Sequence, residues 1–476
     1  MSEFTVWLYL IVLECMKVGM DHIMTTKTLL VAVTCTFMAM TAFTAVGDPV
    51  PRAPVLCLQG SPCVPPATPA PPATPAPPAP TIPGGGSGAM KWRPGYYGDC
   101  NQDGVGTFIA VGNVNYTAVK ACIDFYASQP GMRGVLIKTD WTAFESDTPG
   151  VYDGSAGNHV GGAGKIGHPL WDDLLAYAAS RNMKVIIGIE WLSLGTGSCI
   201  DFVPKYLVPP SCFSRDGTDT AGTYGVVTTP DGSLWVSLWK QSTMDRFIAM
   251  LQDFGARYDS HPALEMVSFL WDDSSFTGGD GYDGFTFSAF TAQMSRLPAA
   301  IRPYFQHTGL SAMWNWVPAQ MMASVMQSMA ASYMTVASQD AIIVQSTDGE
   351  RSYVGYGGAW GSHDYRTELP IAVRLSATTQ CDIYNSYAAR NGLSPSQNTT
   401  PQQYYDIYFT TGKTDLTGSY PMRPCYILIG RNLGSRCPTV ANQQFGTTTS
   451  GGWLQFIQSH SLNTAAPRLY PSVNTN

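Results

Sequence analysis

A short apolar run that ends abruptly in two carboxylates is the feature that most constrains this sequence. The run covers residues 266–271, Met-Val-Ser-Phe-Leu-Trp, and Asp272 and Asp273 follow it directly. Such a run predicts a strand that is buried on both faces, as in a parallel sheet covered by helices. Two adjacent carboxylates at its end are costly unless they are solvated, paired or used in chemistry. The alternative is that one Asp caps the next helix or turn and the other is solvated.

From Trp92 onward, strand and helix signals alternate along the chain, which predicts a parallel sheet with crossover helices. Strands are predicted over residues 92–97, 134–138, 184–189, 266–271, 310–316, 341–345, 370–375 and 425–430. Helices are predicted over residues 114–128, 169–182, 239–258, 285–302, 318–336, 401–410 and 452–460. Eight strands in this alternation indicate an α/β fold, a (β/α)8 TIM barrel with long loops, whose catalytic face lies at the carboxyl ends of the strands.

The first 89 residues are not expected to belong to the barrel. Residues 1–45 are interpreted as a secretory signal peptide with an upstream extension, because a lysine precedes an apolar stretch over residues 29–43 that small residues terminate. An earlier apolar patch is interpreted as an upstream start-site artefact, with a two-pass anchor as the alternative. Residues 46–89 form a Pro/Ala/Thr- and Gly-rich linker, extended because proline fixes φ. The barrel domain is expected over residues 90–476.

The composition suits a secreted protein that handles neutral sugars. Charged residues make up only 13% of the chain and aromatic residues 12%, whereas about 25% charged residues is typical. The net charge of −7 and the lack of a basic cluster argue against a nucleic-acid partner. The histidines are scattered and no CxxC pair is present, so no metal or other cofactor is expected. We expect a monomer, secreted or on the exterior of the cell envelope, where the linker tethers it.

Nine cysteines follow residue 45, and export favours disulfides between them. Two pairs are suggested by their short separations, Cys57 with Cys63 and Cys199 with Cys212. At least one further pair is expected among Cys381, Cys425 and Cys437. The odd total leaves one thiol free or bonded elsewhere.

Segments around the second and third strands resemble a known superfamily. Trp141-Thr-Ala-Phe-Glu145, followed by Pro149-Gly-Val-Tyr-Asp153, is similar to the W-x-x-x-E, G-x-Y pattern of barrel glycoside hydrolases of the cellulase and β-galactosidase type. Residues 171–175 and 182–189 are similar to their second helix and third strand. The resemblance covers residues 92–275 and implies a TIM barrel that hydrolyses glycosidic bonds. It also implies an acid/base, usually Asn-Glu, at the end of the fourth strand and a Glu nucleophile at the end of the seventh.

This chain departs from that pattern at both strands. The fourth predicted strand is followed by Asp272-Asp273 rather than Asn-Glu, and the seventh ends in Leu375-Ser376 without a carboxylate. Glycosidases use two carboxyl groups, about 5–5.5 Å apart in retaining enzymes and about 6.5–9.5 Å apart in inverting ones. We therefore expect Asp272 to be the proton donor, with Asp273 as the alternative, and the second carboxylate to come from another strand.

Three other strand ends offer that second carboxylate. Glu190 is the best candidate, because Ile-Gly-Ile-Glu repeats the pattern of a buried strand that ends in a carboxylate. Asp348 and Glu350 follow the predicted sixth strand and come next, and Asp140 follows the second. Each has an alternative interpretation as a solvated loop residue or a structural ion-pair partner. Glu145 is expected to anchor its loop rather than react.

Aromatic residues also fall at or near strand ends. Sugar rings present C–H faces that stack on indoles, so tryptophans there are candidates for sugar binding. The candidates for substrate binding are Tyr96, Asp140, Trp141, Trp191, Trp271, Trp316 and Trp360. For about half of the tryptophans, the alternative is packing beneath the loops.

Taken together, these patterns indicate a secreted glycoside hydrolase acting on a carbohydrate partner, either a polysaccharide or a glycoconjugate. Asp272 is expected to donate the proton, and Glu190 or the pair Asp348 and Glu350 to supply the base or nucleophile. The alternative is a non-catalytic carbohydrate-binding or surface protein on a degenerate barrel. A lyase or transglycosidase that uses the same carboxylates is a third interpretation.

Overall fold

In the computed structural model of the chain, the described residues are 89–100, 116–153, 166–193, 203–208, 225–229, 234–271, 281–314, 319–338, 368–375, 413–415, 418–420, 424–429, 457–460, 462, 464–470 and 472–475. They all belong to one unit of the chain, Pro77–Asn476. The predicted signal peptide and most of the predicted linker lie outside the described residues.

Eight parallel strands close into a barrel, in chain order around the wall. They are β1 Gly95–Asp99, β2 Met132–Thr139, β3 Lys184–Glu190, β4 Leu264–Trp271, β5 Gly309–Trp314, β6 Thr335–Ser338, β7 Ile371–Leu375 and β8 Tyr426–Ile429. Each strand pairs with the next one, and β8 pairs with β1. The predicted (β/α)8 TIM barrel is thereby confirmed.

Five described helices connect the first six strands. They are α1 Tyr116–Ala127, α2 His168–Ser180, α3 Gln241–Tyr258, α4 Phe287–Ile301 and α5 Ala319–Ala331. In α2, a proline occupies the first turn, where its missing N–H is not needed, and Leu170, Leu174 and Ala178 are buried on one face. In α4, the hydroxyl of Thr286 accepts a hydrogen bond from the backbone N–H of Ala289, 3.0 Å away, and caps the helix. None of the described helices is long and apolar enough to cross a membrane.

The alternation of side chains along the strands separates two clusters of buried apolar residues. One cluster fills the barrel interior, and its strand residues are Tyr97, Leu136, Ile186, Met266, Ala337, Ala372, Tyr426 and Leu428. The other packs between the barrel wall and the helices, and includes Val135, Ile137, Ile187 and Phe269. Since side chains alternate with a period of two along a strand, these clusters fix which residues of each strand face inward.

The chain enters the barrel at the amino-terminal end of the strands. Met90–Lys91 pairs in parallel with Val473–Asn474 outside the barrel. Trp92 follows, and its buried ring makes edge contacts with Tyr426 and Tyr470, with 5.8 Å between ring centroids in each case. These segments close the amino-terminal end of the barrel, so this end is packed protein and the opposite end carries the candidate site.

The sixth strand differs from the prediction. The methionine-rich helix, predicted over residues 318–336, ends at Ala331, and β6 begins only four residues later, at Thr335. Tyr333 adopts a left-handed backbone conformation with φ of 55°, which reverses the chain between the two elements. The predicted strand over residues 341–345 is therefore wrong as the sixth barrel strand, and it lies outside the described residues.

The cysteines also differ from the prediction. Cys100, directly after β1, forms a disulfide with Cys122 of α1, a pair that the spacing in the sequence did not suggest. Cys425 is a free, buried thiol, so it is not part of the pair expected among the last three cysteines. Burial raises the pKa of the Cys425 thiol to about 11. The other predicted disulfide pairs lie outside the described residues.

Candidate active site

Carboxylates gather at the carboxyl ends of the first three strands. Asp99 ends β1, Asp140 follows β2, and Glu190 ends β3. Asp99 and Asp140 are fully buried, whereas Glu190 reaches the surface. Asp272 follows the end of β4 directly and lies outside the described residues. In a TIM barrel this end of the strands is the catalytic face, so the chain concentrates acidic groups where chemistry is expected.

Glu190 forms an ion pair with Lys138 across the two neighbouring strands β3 and β2. Lys138 lies opposite Gly188 in the strand register, two residues before Glu190. The inward positions Leu136 and Ile186 establish that Lys138 and Glu190 also face inward. Only 9% of the lysine side chain and 13% of the glutamate side chain are exposed. The two groups therefore offset part of each other's desolvation within the barrel mouth.

The strand on the other side of Glu190 is β4. Glu190 lies opposite Leu270 in the register of these two strands. Met266 is packed in the barrel interior, and the hydroxyl of Ser268 donates to the hydroxyl of Ser311 of β5, 3.3 Å away. From Met266 to the level of Glu190, the inward positions of β4 are therefore uncharged.

Asp140 caps the turn that follows β2. Its Oδ1 atom accepts a hydrogen bond from the backbone N–H of Thr142 at 3.0 Å and another from the Thr142 hydroxyl. These bonds cap the short 3₁₀ turn Trp141–Ala143 that begins the loop after β2. The predicted substrate contact of Asp140 stays a prediction.

Glu145 anchors its loop, as expected from the sequence. Its buried carboxylate accepts hydrogen bonds from the indole N–H of Trp141 at 2.8 Å, the backbone N–H of Gly150 at 2.6 Å and the hydroxyl of Tyr206 at 2.8 Å. It also pairs with the guanidinium of Arg246 in α3. Because Tyr206 belongs to the loop after β3, this one carboxylate joins two loops at the carboxyl end of the barrel.

Two candidate tryptophans and the candidate tyrosine pack between the barrel wall and the helices. Trp191 stacks on Phe290 at 5.6 Å and meets the edge of Trp235 at 5.0 Å. The hydroxyl of Tyr96 donates to the backbone carbonyl of His460 at 3.3 Å. Trp141 is likewise buried. These contacts correspond to the packing alternative, and a sugar contact by any of the three stays a prediction.

The remaining candidates fall at or beyond the edge of the described structure. Trp271 ends β4 and lies opposite Trp314 of β5 in the strand register, but only its backbone is described. The others lie outside the described residues: Asp272, Asp273, Trp316, Asp348, Glu350 and Trp360. Because β6 ends at Ser338 rather than at residue 345, Asp348 and Glu350 do not directly follow the sixth strand. Their predicted place at the end of the sixth strand is therefore wrong.

Asp283 lies in the short turn Tyr282–Gly284 that precedes α4. This residue has φ of 49°, a left-handed conformation that aspartate tolerates better than most residues. Its carboxylate pairs with Lys240 at 2.7 Å, and its backbone carbonyl accepts a hydrogen bond from the indole of Trp239 at 3.1 Å. These contacts fix the turn Tyr282–Gly284 beside the start of α3.

Lys138 was not among the residues predicted from the sequence. A signal was present, because a lysine in the apolar strand Val-Leu-Ile-Lys falls at an inward position two residues after Leu136. A charge at such a position requires a partner, and Glu190 supplies it. Within the described part of the chain, no group of three or more His, Cys, Asp or Glu side chains could hold a metal ion.

The sequence matches no protein-family model and no curated protein. Among solved structures, the chain is similar to the lactosyl-enzyme intermediate of endo-glycoceramidase II from Rhodococcus sp., at 13% identity over 65% of this chain and 66% of that one, with a TM-score of 0.34. It is also similar to β-1,4-D-mannanase from Cryptopygus antarcticus, at 11% identity over 76% of this chain and 98% of that one, with a TM-score of 0.37. For β-mannanase from the blue mussel Mytilus edulis, the identity is 9%, the coverage 76% and 94%, and the TM-score 0.36.

The matched part of the chain spans just under two thirds of the Rhodococcus structure. At these low identities and TM-scores the fold of this chain rests on its own strand pairing. The closed parallel barrel agrees with that of the TIM-barrel glycoside hydrolases that the sequence resembles.

Proposed function

We propose that this chain is a secreted glycoside hydrolase that cleaves glycosidic bonds of a polysaccharide or glycoconjugate by carboxylate acid/base catalysis. The observation that carries the proposal is the placement of Glu190. It faces inward at the carboxyl end of β3, paired with Lys138, one strand away from the end of β4 that Asp272 follows. Hydrolysis of a glycosidic bond requires two carboxyl groups that flank it, and these two neighbouring strand ends can supply them.

The period of β4 supports Asp272 as the second group. Met266 and Ser268 occupy inward positions, so the same period reaches Leu270 and then Asp272 in the sequence. Leu270, the register partner of Glu190, precedes Asp272 by two residues in the sequence. Glycosidases need two carboxyl groups about 5–5.5 Å or about 6.5–9.5 Å apart, and we propose that Asp272 and Glu190 meet this requirement.

The roles follow from charge. Lys138 favours the ionised form of Glu190, which suits a general base or nucleophile. A negative charge on Glu190 favours the protonated form of a neighbouring acid, which suits Asp272 as the proton donor. In the sequence, Asp273 continues the period of Val267 and Phe269, whose side chains face the helices. We therefore propose it only as the alternative donor.

A non-catalytic carbohydrate-binding protein is the second candidate, and one observation favours it. The predicted seventh strand is present as Ile371–Leu375, and the sequence continues with Ser376. The carboxylate that the resembled superfamily places at the end of this strand is therefore missing from the sequence. A barrel that had lost its chemistry would show this change.

Sugar release separates the two candidates. The secreted full chain is incubated with a panel of neutral polysaccharides and glycoconjugates, products are identified by mass spectrometry, and binding to the same glycans is measured by calorimetry. The enzyme proposal expects new saccharide products, released about 10²–10⁴-fold more slowly by Glu190→Gln. Asp173→Asn, a change of a partly exposed carboxylate on α2 that pairs with Lys120 at 3.3 Å, serves as the control and should release sugar normally. Binding without any product would support the non-catalytic candidate.

A further inference from the structure

We propose that Lys138 is a positioning residue that holds Glu190 as an inward-facing carboxylate and thereby assigns Glu190 the role of general base or nucleophile. The inference rests on the proposed function. It adds a residue that the sequence did not single out, and it gives the two carboxyl groups different roles for a structural reason.

The backbone directs the two side chains towards each other. Lys138 and Glu190 lie on the inward face of neighbouring parallel strands, staggered by two residues. Gly188, the register partner of Lys138, lies between them on β3. Since glycine has no side chain, the lysine can extend past this position and reach the carboxylate. The pair thus follows from the register of β2 and β3, which is fixed over six residue pairs.

Among the described charged groups around Glu190, Lys138 has the decisive effect on the ionisation of Glu190. On the β2 side, Asp140 lies beyond the lysine and is engaged in capping the 3₁₀ turn. On the β4 side, the inward residues are Met266 and Ser268. Asp99 of β1 lies one strand further away, and the sequence places Asp272 after β4. Apart from Lys138, every titratable group named here is an acid, so the ammonium of Lys138 is what favours ionisation of Glu190.

Burial makes this influence strong. About nine tenths of each side chain is covered, so water screens the pair poorly. If Lys138 is removed, a charged Glu190 is left in a poorly solvated site, and it responds by binding a proton or by turning away. Either response removes a correctly placed base, which lowers the rate of the chemical step more than the binding of the sugar.

The first measurement needs no substrate. The chain contains only seven glutamates, so selective ¹³C labelling of glutamate carboxyl groups gives few NMR signals, and Glu190→Gln identifies that of Glu190. We expect Glu190 to stay ionised to a lower pH in the wild type than in Lys138→Met, by about one pH unit or more. Lys138→Arg should titrate like the wild type. Lys184→Met, at the opposite end of β3, is the matched control and should leave the signal unchanged.

The second measurement uses a glycan that the wild type cleaves. Lys138→Met should lower kcat by about 10²-fold with a small change in KM, and Lys138→Arg should restore most of the rate. Lys138→Gln repeats both experiments if the methionine variant does not fold. An unchanged Glu190 titration in the folded variants would overturn the inference even if sugars are cleaved. A shifted titration in a chain that cleaves no glycan would uphold the ion-pair effect and reject the proposed function.

Discussion

Arg93 and Glu265 form an ion pair of 2.9 Å that is buried at the amino-terminal end of the barrel. The carboxylate also accepts hydrogen bonds from the backbone N–H of Arg93 and from the hydroxyl of Tyr426, each at 2.9 Å. Lys138 and Glu190 form a second inward-facing pair at the opposite end. In TIM barrels the amino-terminal end serves stability and the carboxyl end serves chemistry, so the two pairs should respond differently to substitution.

Glu265→Gln should destabilise the chain strongly. Removing this carboxylate leaves the buried guanidinium of Arg93 without its counter-charge, which costs about 3–5 kcal/mol in the free energy of unfolding. Chemical denaturation measures this loss. The double variant Arg93→Met/Glu265→Met should recover part of it, because no buried charge then remains. A loss below about 1 kcal/mol in Glu265→Gln would contradict a structural role for the pair.

Lys91 should make stability rise with pH above neutrality. Its ammonium donates to the backbone carbonyls of Asp259, His261 and Leu264, at 2.6, 2.9 and 2.8 Å. Burial lowers the pKa of Lys91 to about 8, although Asp259 and Glu265 act in the opposite direction. Between about pH 8 and pH 10.5 the unfolded chain therefore binds more protons than the folded one.

Between pH 7.5 and 9.5 this linkage should raise the free energy of unfolding of the wild type by about 2 kcal/mol relative to that of Lys91→Met. Lys120→Met, which removes a lysine from the surface of α1, should follow the wild type. Above about pH 10 the trend should reverse, because burial raises the pKa of Tyr97 and Tyr426 well above 10 while tyrosines ionise in the unfolded chain. Parallel curves for the wild type and Lys91→Met would reject the assignment.

The linker should be dispensable up to residue 88 and no further. Deleting residues 46–88 removes no described contact and should leave Tm nearly unchanged. Deleting residues 46–93 also removes the strand Met90–Lys91, the ring of Trp92 and the pair formed by Arg93, and should lower Tm by many degrees or prevent folding. Thermal melts of the two deletions test this. A large loss in the shorter deletion would mean that the linker packs on the barrel.

Glu145→Gln should cost about 1–3 kcal/mol in the free energy of unfolding, because the buried donors of Trp141, Gly150 and Tyr206 lose a charged acceptor. Asp124→Asn is the matched control. Its ion pair with Arg181 is at the surface, so it should cost less than about 1 kcal/mol. Equal effects of the two substitutions in urea denaturation would contradict the anchoring role of Glu145.

The clearest parts of the fold were predictable because their physical signals are strong. The run Lys-Val-Ile-Ile-Gly-Ile-Glu is apolar throughout its middle, and it forms β3 from Lys184 to Glu190. The sixth strand was misplaced because Val336 continues the apolar period of the preceding helix. The turn that separates them depends on the left-handed conformation of Tyr333, for which no glycine or proline marks the sequence.

The candidate site was predictable only in part. Glu190 could be recognised, because a carboxylate after a buried run stands out in the sequence. Its partner Lys138 could not be assigned, since that needs the register of β2 against β3. The buried rings of Trp141 and Trp191 show a related limit. A sequence pattern places each indole at a strand end, but it does not determine whether the ring packs against the helices or faces the barrel mouth.

Acid/base catalysis by Asp272 and Glu190 is tested most directly by the rate of glycan cleavage by Asp272→Asn and Glu190→Gln beside the wild type, with thermal melts of all three. Each change keeps the shape of the side chain and removes its acid or base function, so kcat should fall by about 10²–10⁴-fold. Asp272→Asn should leave Tm almost unchanged. Near-normal turnover by Asp272→Asn or by Glu190→Gln, in a variant that folds normally, would contradict the catalytic role of that residue.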